Sequence, residues 1–190
     1  IHGGAGVLRG DKPGARHRAV LKRSLEIGYE VLNQKTAVDA VAAAVVVLED
    51  SPLFNAGRGS SFNTDAEIEM DASIMDGGTL AAGAVCAVRT IRNPIKAARA
   101  LMETSDLLLL AGSPADDFAR RAGLEIVPNG YFTTERRKQA LASLKARKTR
   151  QEIAMQAGRD VWWDDFAQDA AAYCAPEKMA SGDMPYPRHT

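Results

Sequence analysis

Between Ala15 and Leu32 the apolar residues Leu21, Leu25 and Leu32 recur at helical spacing, with Gly28 in the same row and Arg16, Lys22, Arg23, Glu26 and Glu30 between them. That row predicts an amphipathic helix with one inward face. A second helix is predicted from Thr36, because Thr36-Ala37-Val38-Asp39 has the spacing of a capping box with the shorter acid. Val38, Val41, Ala42, Val45 and Leu48 then share one face. The helix is predicted to end near Glu49, since Pro52 lacks the N–H that would continue it and Asn55-Ala56-Gly57-Arg58-Gly59-Ser60-Ser61 is loop chemistry.

The period then drops to two. Ile68, Met70, Ala72 and Ile74 alternate with Glu67, Glu69, Asp71 and Ser73, which predicts a strand. Asp76-Gly77-Gly78 is turn material, and the small, apolar run from Leu80 to Val88 predicts a second strand covered on both faces, completing a buried hairpin. Asn93-Pro94 and Ser113-Pro114 each read as an N-cap followed by proline at the first helical position, with Gly123 closing the second of these helices and a short strand at Leu107 to Leu110 between them. Thr134 is predicted to cap a helix running through Leu144. The opening Ile1-His2-Gly3-Gly4-Ala5-Gly6-Val7 predicts the end of a buried strand entering a glycine bend.

Beyond Leu144 the pattern weakens. Lys145, Arg147, Lys148 and Arg150 form a basic stretch without interleaved aromatics, and Asp160, Asp164 and Asp165 follow, so a solvated helix end is preferred to a nucleic-acid patch. Ala154 to Tyr173 is compatible with a further helix. Residues 1–150 are expected to form the folded part and 151–190 a variable linker.

Composition narrows the function classes. The chain has 190 residues, 46% hydrophobic and 25% charged, with no apolar run long enough to span a bilayer. Lys plus Arg and Asp plus Glu balance at 24 each, so net charge gives no reason to expect nucleic acid or a membrane surface as a partner. Cys86 and Cys174 are too few for a disulfide framework and suit a reducing cytoplasm. His2, His17 and His189 lack the spacing of paired metal ligands, and no serine sits in a Gly-x-Ser-x-Gly elbow. Asp71 and Asp76 are read as a strand-face residue and a turn former in preference to an acid/base pair.

Three motifs in order, Ile1-His2-Gly3-Gly4-Ala5-Gly6, Glu49-Asp50-Ser51-Pro52-Leu53-Phe54-Asn55-Ala56-Gly57-Arg58-Gly59 and Met70-Asp71-Ala72-Ser73-Ile74-Met75-Asp76-Gly77, resemble the plant-type L-asparaginase/isoaspartyl peptidase family of N-terminal-nucleophile hydrolases. The Gly-Ala-Val strand and Arg92-Asn93-Pro94 extend the resemblance over roughly residues 1–135.

That resemblance implies an α+β fold, a four-layer αββα sandwich completed by a separate β chain. Autoproteolysis of a common precursor would place a nucleophilic threonine at the start of that chain. The implied activity is hydrolysis of L-asparagine and β-aspartyl dipeptides in an (αβ)2 heterotetramer. Glycosylasparaginase, a threonine endopeptidase and a non-catalytic scaffold are the alternatives. Thr190 either ends the α-chain linker, the preferred reading, or is the scissile threonine. Asn55 matches the loop asparagine that supports the nucleophile, and Gly3 and Gly4 match a loop beside the site. Leu48, Glu49, Ser51, Phe54, Ala56 and Arg58 match a structural sodium loop that binds through backbone carbonyls. No catalytic cofactor is implied.

Overall fold

The computed structural model describes residues 1–4 and 14–156. Contacts divide the chain into two compact units, Ile1–Leu141 and Ala142–Thr190. Helices α1 (Ala15–Leu32) and α2 (Ala37–Glu49) lead into the hairpin strands β1 (Met70–Met75) and β2 (Ala82–Val88). Helix α3 (Pro94–Thr104), strand β3 (Leu109–Ala111), helix α4 (Ser113–Arg121), a 3-10 turn (Asn129–Phe132) and helix α5 (Glu135–Gln156) follow. This is the expected mixture of helix and sheet.

The sheet has the order β1-β2-β3, with β1 antiparallel and β3 parallel to β2. Ala72 pairs with Val85 and Ile74 with Gly83, so these side chains share the face that packs on α3. The fit is close: a Cβ on Gly83 would lie 2.2 Å from the carbonyl oxygen of Ala98 in α3. Ala97, Ala98 and Leu101 complete that helix's buried face. Ser73, Met75, Ala84, Leu109 and Ala111 point to the opposite face and are partly or fully exposed. The run of small residues in β2 was expected to be covered on both sides; the described residues cover one. The strand also starts at Ala82, since Leu80 is exposed with φ 61° in the turn. The expected third strand begins two residues late, its pairing with β2 starting at Leu109 opposite Ala84.

Helix α2 carries the expected capping box. Thr36 Oγ1 accepts from Asp39 N at 3.2 Å, and Asp39 Oδ2 accepts from Thr36 N at 3.1 Å. Asp39 also pairs with Arg99 of α3 at 2.8 Å. The Thr36 hydroxyl and then Arg99 hold its carboxyl down at about 2.

The seam between α1 and α2 differs from the predicted one. Ser24 Oγ donates to Ala44 O at 2.7 Å, and Gly28 lies against Ala40 and Ala44. Leu25, Leu32 and Val41 are exposed. Small residues win the interface because they let the helix axes approach, which turns the larger side chains outward.

Two caps also differ. Asn93 makes no cap bond to α3; its Nδ2 donates to Asp50 Oδ1. Helix α4 starts at Ser113 itself, with Gly112 in the cap position. Gly123 closes α4 as expected, with Leu124 N donating to Ala119 O. Helix α5 begins after Thr134 but runs past Leu144 to Gln156, since no glycine or proline interrupts it. Residues 1–4 form no strand and Ile1 is exposed, a departure from the expected buried strand. Residues 5–7, most of the predicted helix at 154–173, Cys174 and Thr190 lie outside the described residues. Among those described, no helix is long and apolar enough to cross a membrane.

Because the backbone of α3 fills the space where a Gly83 side chain would go, Gly83→Ala is expected to destabilise the protein by about 1–3 kcal/mol. Gly77→Ala, where a Cβ meets nothing within 4 Å, is expected to be near neutral. Urea unfolding of both variants checks this, and equal losses would contradict the packing described.

Candidate active site

The segment that follows α2 folds back on the helix end. Arg58 N donates to Glu49 O at 2.6 Å, and a Cβ on Gly57 (φ 49°) would lie 2.3 Å from that same oxygen. Gly59 has φ 123°, and a Cβ there would stand 2.8 Å from the carbonyl oxygens of both Pro52 and Phe54. Only glycine satisfies both the close approach and the left-handed backbone. Phe54 is buried and meets His17 edge-on at 5.7 Å, and the backbone of Gly3 lies against the Phe54 ring and Leu21.

The Glu49 side chain joins this loop to α3. It is 3% exposed, and its Oε1 accepts from Ile95 N at 2.9 Å. The carboxylate therefore caps α3 where Asn93 was expected to, and a negative group suits a helix N-terminus. Oε2 has no hydrogen-bond partner among the described residues. Burial pushes the Glu49 pKa up to about 7, against the lowering effect of the Ile95 N–H and the Asn93 amide.

Asn55 sits on the same loop with an exposed side chain. Its Oδ1 accepts from Ser61 N at 2.8 Å and from Arg137 Nη2 at 3.3 Å. Two donors on one atom identify it as the oxygen. The Nδ2 group, with two protons to donate, has no partner among the described residues. Asn55 lines a small polar cavity of about 170 Å³ with Glu49, Ser60, Glu69, Met70 and Asp71.

Besides Glu49, the acids of that cavity, Glu69 and Asp71, have structural tasks, as does Asp76 in the hairpin turn. Asp71 Oδ1 accepts from Ala87 N at 2.8 Å, where the β1–β2 register shifts and Ala87 takes φ 51°. Glu69 pairs with Arg89. Asp76 accepts from Gly78 N and Thr79 Oγ1, the turn role expected of it. The Cys86 thiol is pushed up by its hydrogen bond with Asp71 and by burial, which keeps it protonated. Among the described residues no group of His, Cys, Asp and Glu gathers into a metal site.

The structure places Leu48, Glu49, Ser51, Phe54, Asn55, Ala56 and Arg58 on one folded-back segment, with Gly3 against it. Gly4, at φ 109°, donates its N–H to His2 Nδ1 at 3.2 Å and has nothing close to its Cα. Leu48 O accepts from Ser51 N, and Glu49 O from Arg58 N. Among the described residues no backbone N–H is donated to the carbonyls of Ser51, Phe54, Ala56 or Arg58.

Two groups of this region are not evident from the sequence pattern. The resemblance points to the backbone carbonyl of Glu49 and not to its carboxyl, although an acid closing an apolar helix is a signal. Arg137 lies within the helix predicted after Thr134, and nothing local in the sequence connects it with Asn55.

A family profile described as Asparaginase matches residues 1–169. An isoaspartyl peptidase/L-asparaginase of Xenopus laevis is 49% identical over 147 residues, 76% of this chain and 47% of the relative. The Homo sapiens protein of the same name is 46% identical over 158 residues, 82% of this chain and 51% of its own. A plant-type L-asparaginase of Pyrococcus abyssi is 40% identical over 153 residues, 80% of this chain and 49% of its own. The chain thus spans about half the length of the curated relatives it matches.

The Glu49 carboxyl gives this region a pH signature. Its folded pKa is raised from 4.5 to about 7, so its contribution to stability is full below about 4.5 and is lost as pH rises to about 7. Glu49→Gln keeps an oxygen for Ile95 N and removes the titration. The melting temperature of the variant relative to the parent is expected to climb between pH 4.5 and 7 and to level off above. A difference that stays flat from pH 4 to 8 would refute the raised pKa.

Proposed function

This chain belongs to the asparaginase family, and from that premise we propose that it is the N-terminal, α part of an amidohydrolase acting on L-asparagine and β-aspartyl (isoaspartyl) dipeptides. The observation that carries this reading is the 49% identity to an isoaspartyl peptidase/L-asparaginase of which it covers 47%. The remaining length would supply the nucleophile and its base.

In the proposed reaction, autoproteolysis of the precursor exposes a threonine at the start of a β chain. A hydroxyl is a weak nucleophile until a base takes its proton, and a free α-amine titrates near neutrality. The threonine oxygen attacks the β-carbonyl carbon of the substrate while its α-amine accepts the proton. That proton passes to the leaving nitrogen, so ammonia or the second amino acid departs and a β-aspartyl ester remains. Water, deprotonated by the same amine, then cleaves the ester and regenerates threonine.

Asn55 is the group this chain would bring to that chemistry. Its oxygen is occupied by Ser61 and Arg137, so the NH2 would donate to the threonine oxygen and hold its rotamer without competing for the proton. Gly3 and Gly4 would border the site. The open sheet face around Ser73, Ala84 and Leu109 suits a second sheet, as in a four-layer αββα sandwich completed by the β chain, and two such pairs would form (αβ)2. Residues 151–190 would lead to the cut, and two isolated cysteines favour a cytoplasmic protein.

A monovalent cation, Na⁺, would be held by the carbonyls of Leu48, Glu49, Ser51, Phe54, Ala56 and Arg58. The donor set fits. Four of these oxygens receive no backbone N–H among the described residues, and the two bonded ones keep a second lone pair. Carbonyl oxygens suit a hard cation, which would fix the loop that carries Asn55. Its role would be structural.

Two experiments follow. Mass spectrometry of the denatured whole protein is expected to give two fragments, the second beginning with threonine, and the native protein to hydrolyse both substrate types. A single uncut chain with full turnover would overturn the reading; cleavage with activity only on glycosylated asparagine or protein substrates would favour the glycosylasparaginase or endopeptidase branch. Replacing sodium by a bulky organic cation at equal ionic strength is expected to lower the melting temperature. An unchanged melting curve would remove the cation site.

A further inference from the structure

The side-chain amide of Asn55 can turn over without changing its shape, exchanging its oxygen for its NH2. What decides its orientation is the pair of donors on one side of it, the Ser61 N–H at 2.8 Å and Arg137 Nη2 at 3.3 Å. The turned amide would set its NH2 against both, leaving two donors without an acceptor.

Arg137 is the stronger of these constraints because it is charged and anchored twice. It projects from the first turn of α5, donates Nε to Gly59 O and reaches Asn55 with Nη2, clamping two points of one loop. Gly59 is held from its other side by donation of its own N–H to Phe132 O at 3.1 Å. Arg89, Arg92, Arg99 and Arg120 all pair with carboxylates, whereas Arg137 has no ion-pair partner among the described residues. It is half-buried, and its donors go to a carbonyl and an amide. A cation on the amide oxygen also draws electrons from the nitrogen, making its protons better donors.

We propose that Arg137 is a positioning residue: its guanidinium locks the Asn55 amide with the NH2 turned to the reacting group, and polarises it. This rests on the reading of Asn55 as a support for the nucleophile. It predicts that Arg137 acts on turnover through Asn55 and leaves substrate binding alone.

The test uses the full-length protein with Asn55→Ala, Arg137→Met and the double variant, comparing kcat and KM for L-asparagine with the melting temperature. Arg137→Met is expected to lower kcat by roughly tenfold or more with KM changed by less than about twofold. The double variant is expected to be no slower than Asn55→Ala alone, because the two residues act in series. Should Arg137→Met fold poorly, Arg137→Ala with added methylguanidinium keeps the question open to measurement, with recovery of kcat expected. Effects that multiply in the double variant, or kcat that falls only as far as the folded fraction, would overturn the proposal. Asn55→Ala at full turnover would overturn the underlying reading. Asn55→Ala impaired with Arg137→Met at parental turnover would overturn the role of Arg137 alone.

Discussion

The buried carboxyl of Glu49 is where the parts of this structure meet. Its Oε1 caps α3, its backbone carbonyl receives Arg58, and Gly57 packs on that same oxygen. The end of α2, the folded-back loop and the start of α3 are therefore tied together at one residue. Helix α3 in turn lies on the sheet so closely that Gly83 has no room for a side chain. A carboxyl this buried is costly in its charged form, which raises its pKa. The Ile95 N–H and the Asn93 amide offset part of that cost.

The placement of Asn55 follows from that junction. One side of its amide is tied down by Ser61 and Arg137, and the other is left free beside a small polar cavity. Of the acids lining the cavity, Asp71 is committed to a strand bulge, Glu69 to an arginine pair and Glu49, through Oε1, to the α3 cap. The curated relatives are about twice as long as the part this chain matches, and the described residues leave one face of the sheet bare.

Much of the fold was legible because its causes are local. The Thr36 capping box, the alternation through β1, the Asp76 turn and the stop at Gly123 each depend on residues within a few positions of one another. Legibility failed where tertiary packing decides. Ser24 and Ala44 join the expected Gly28 in the α1–α2 seam in place of Leu25 and Leu32, and Glu49 takes the cap that Asn93 was expected to make. In the site, motif resemblance picked out Asn55 and the loop around it. It could not reveal Arg137, whose partner lies 82 residues away.

On the proposed reading, this chain supports a nucleophile carried by a second fragment. Intact-mass measurement of both fragments after brief exposure to L-asparagine and an acid quench tests it directly. A β-aspartyl adduct on the N-terminal threonine of the second fragment, with this chain unmodified, is the result the account predicts. An adduct on this chain would contradict it.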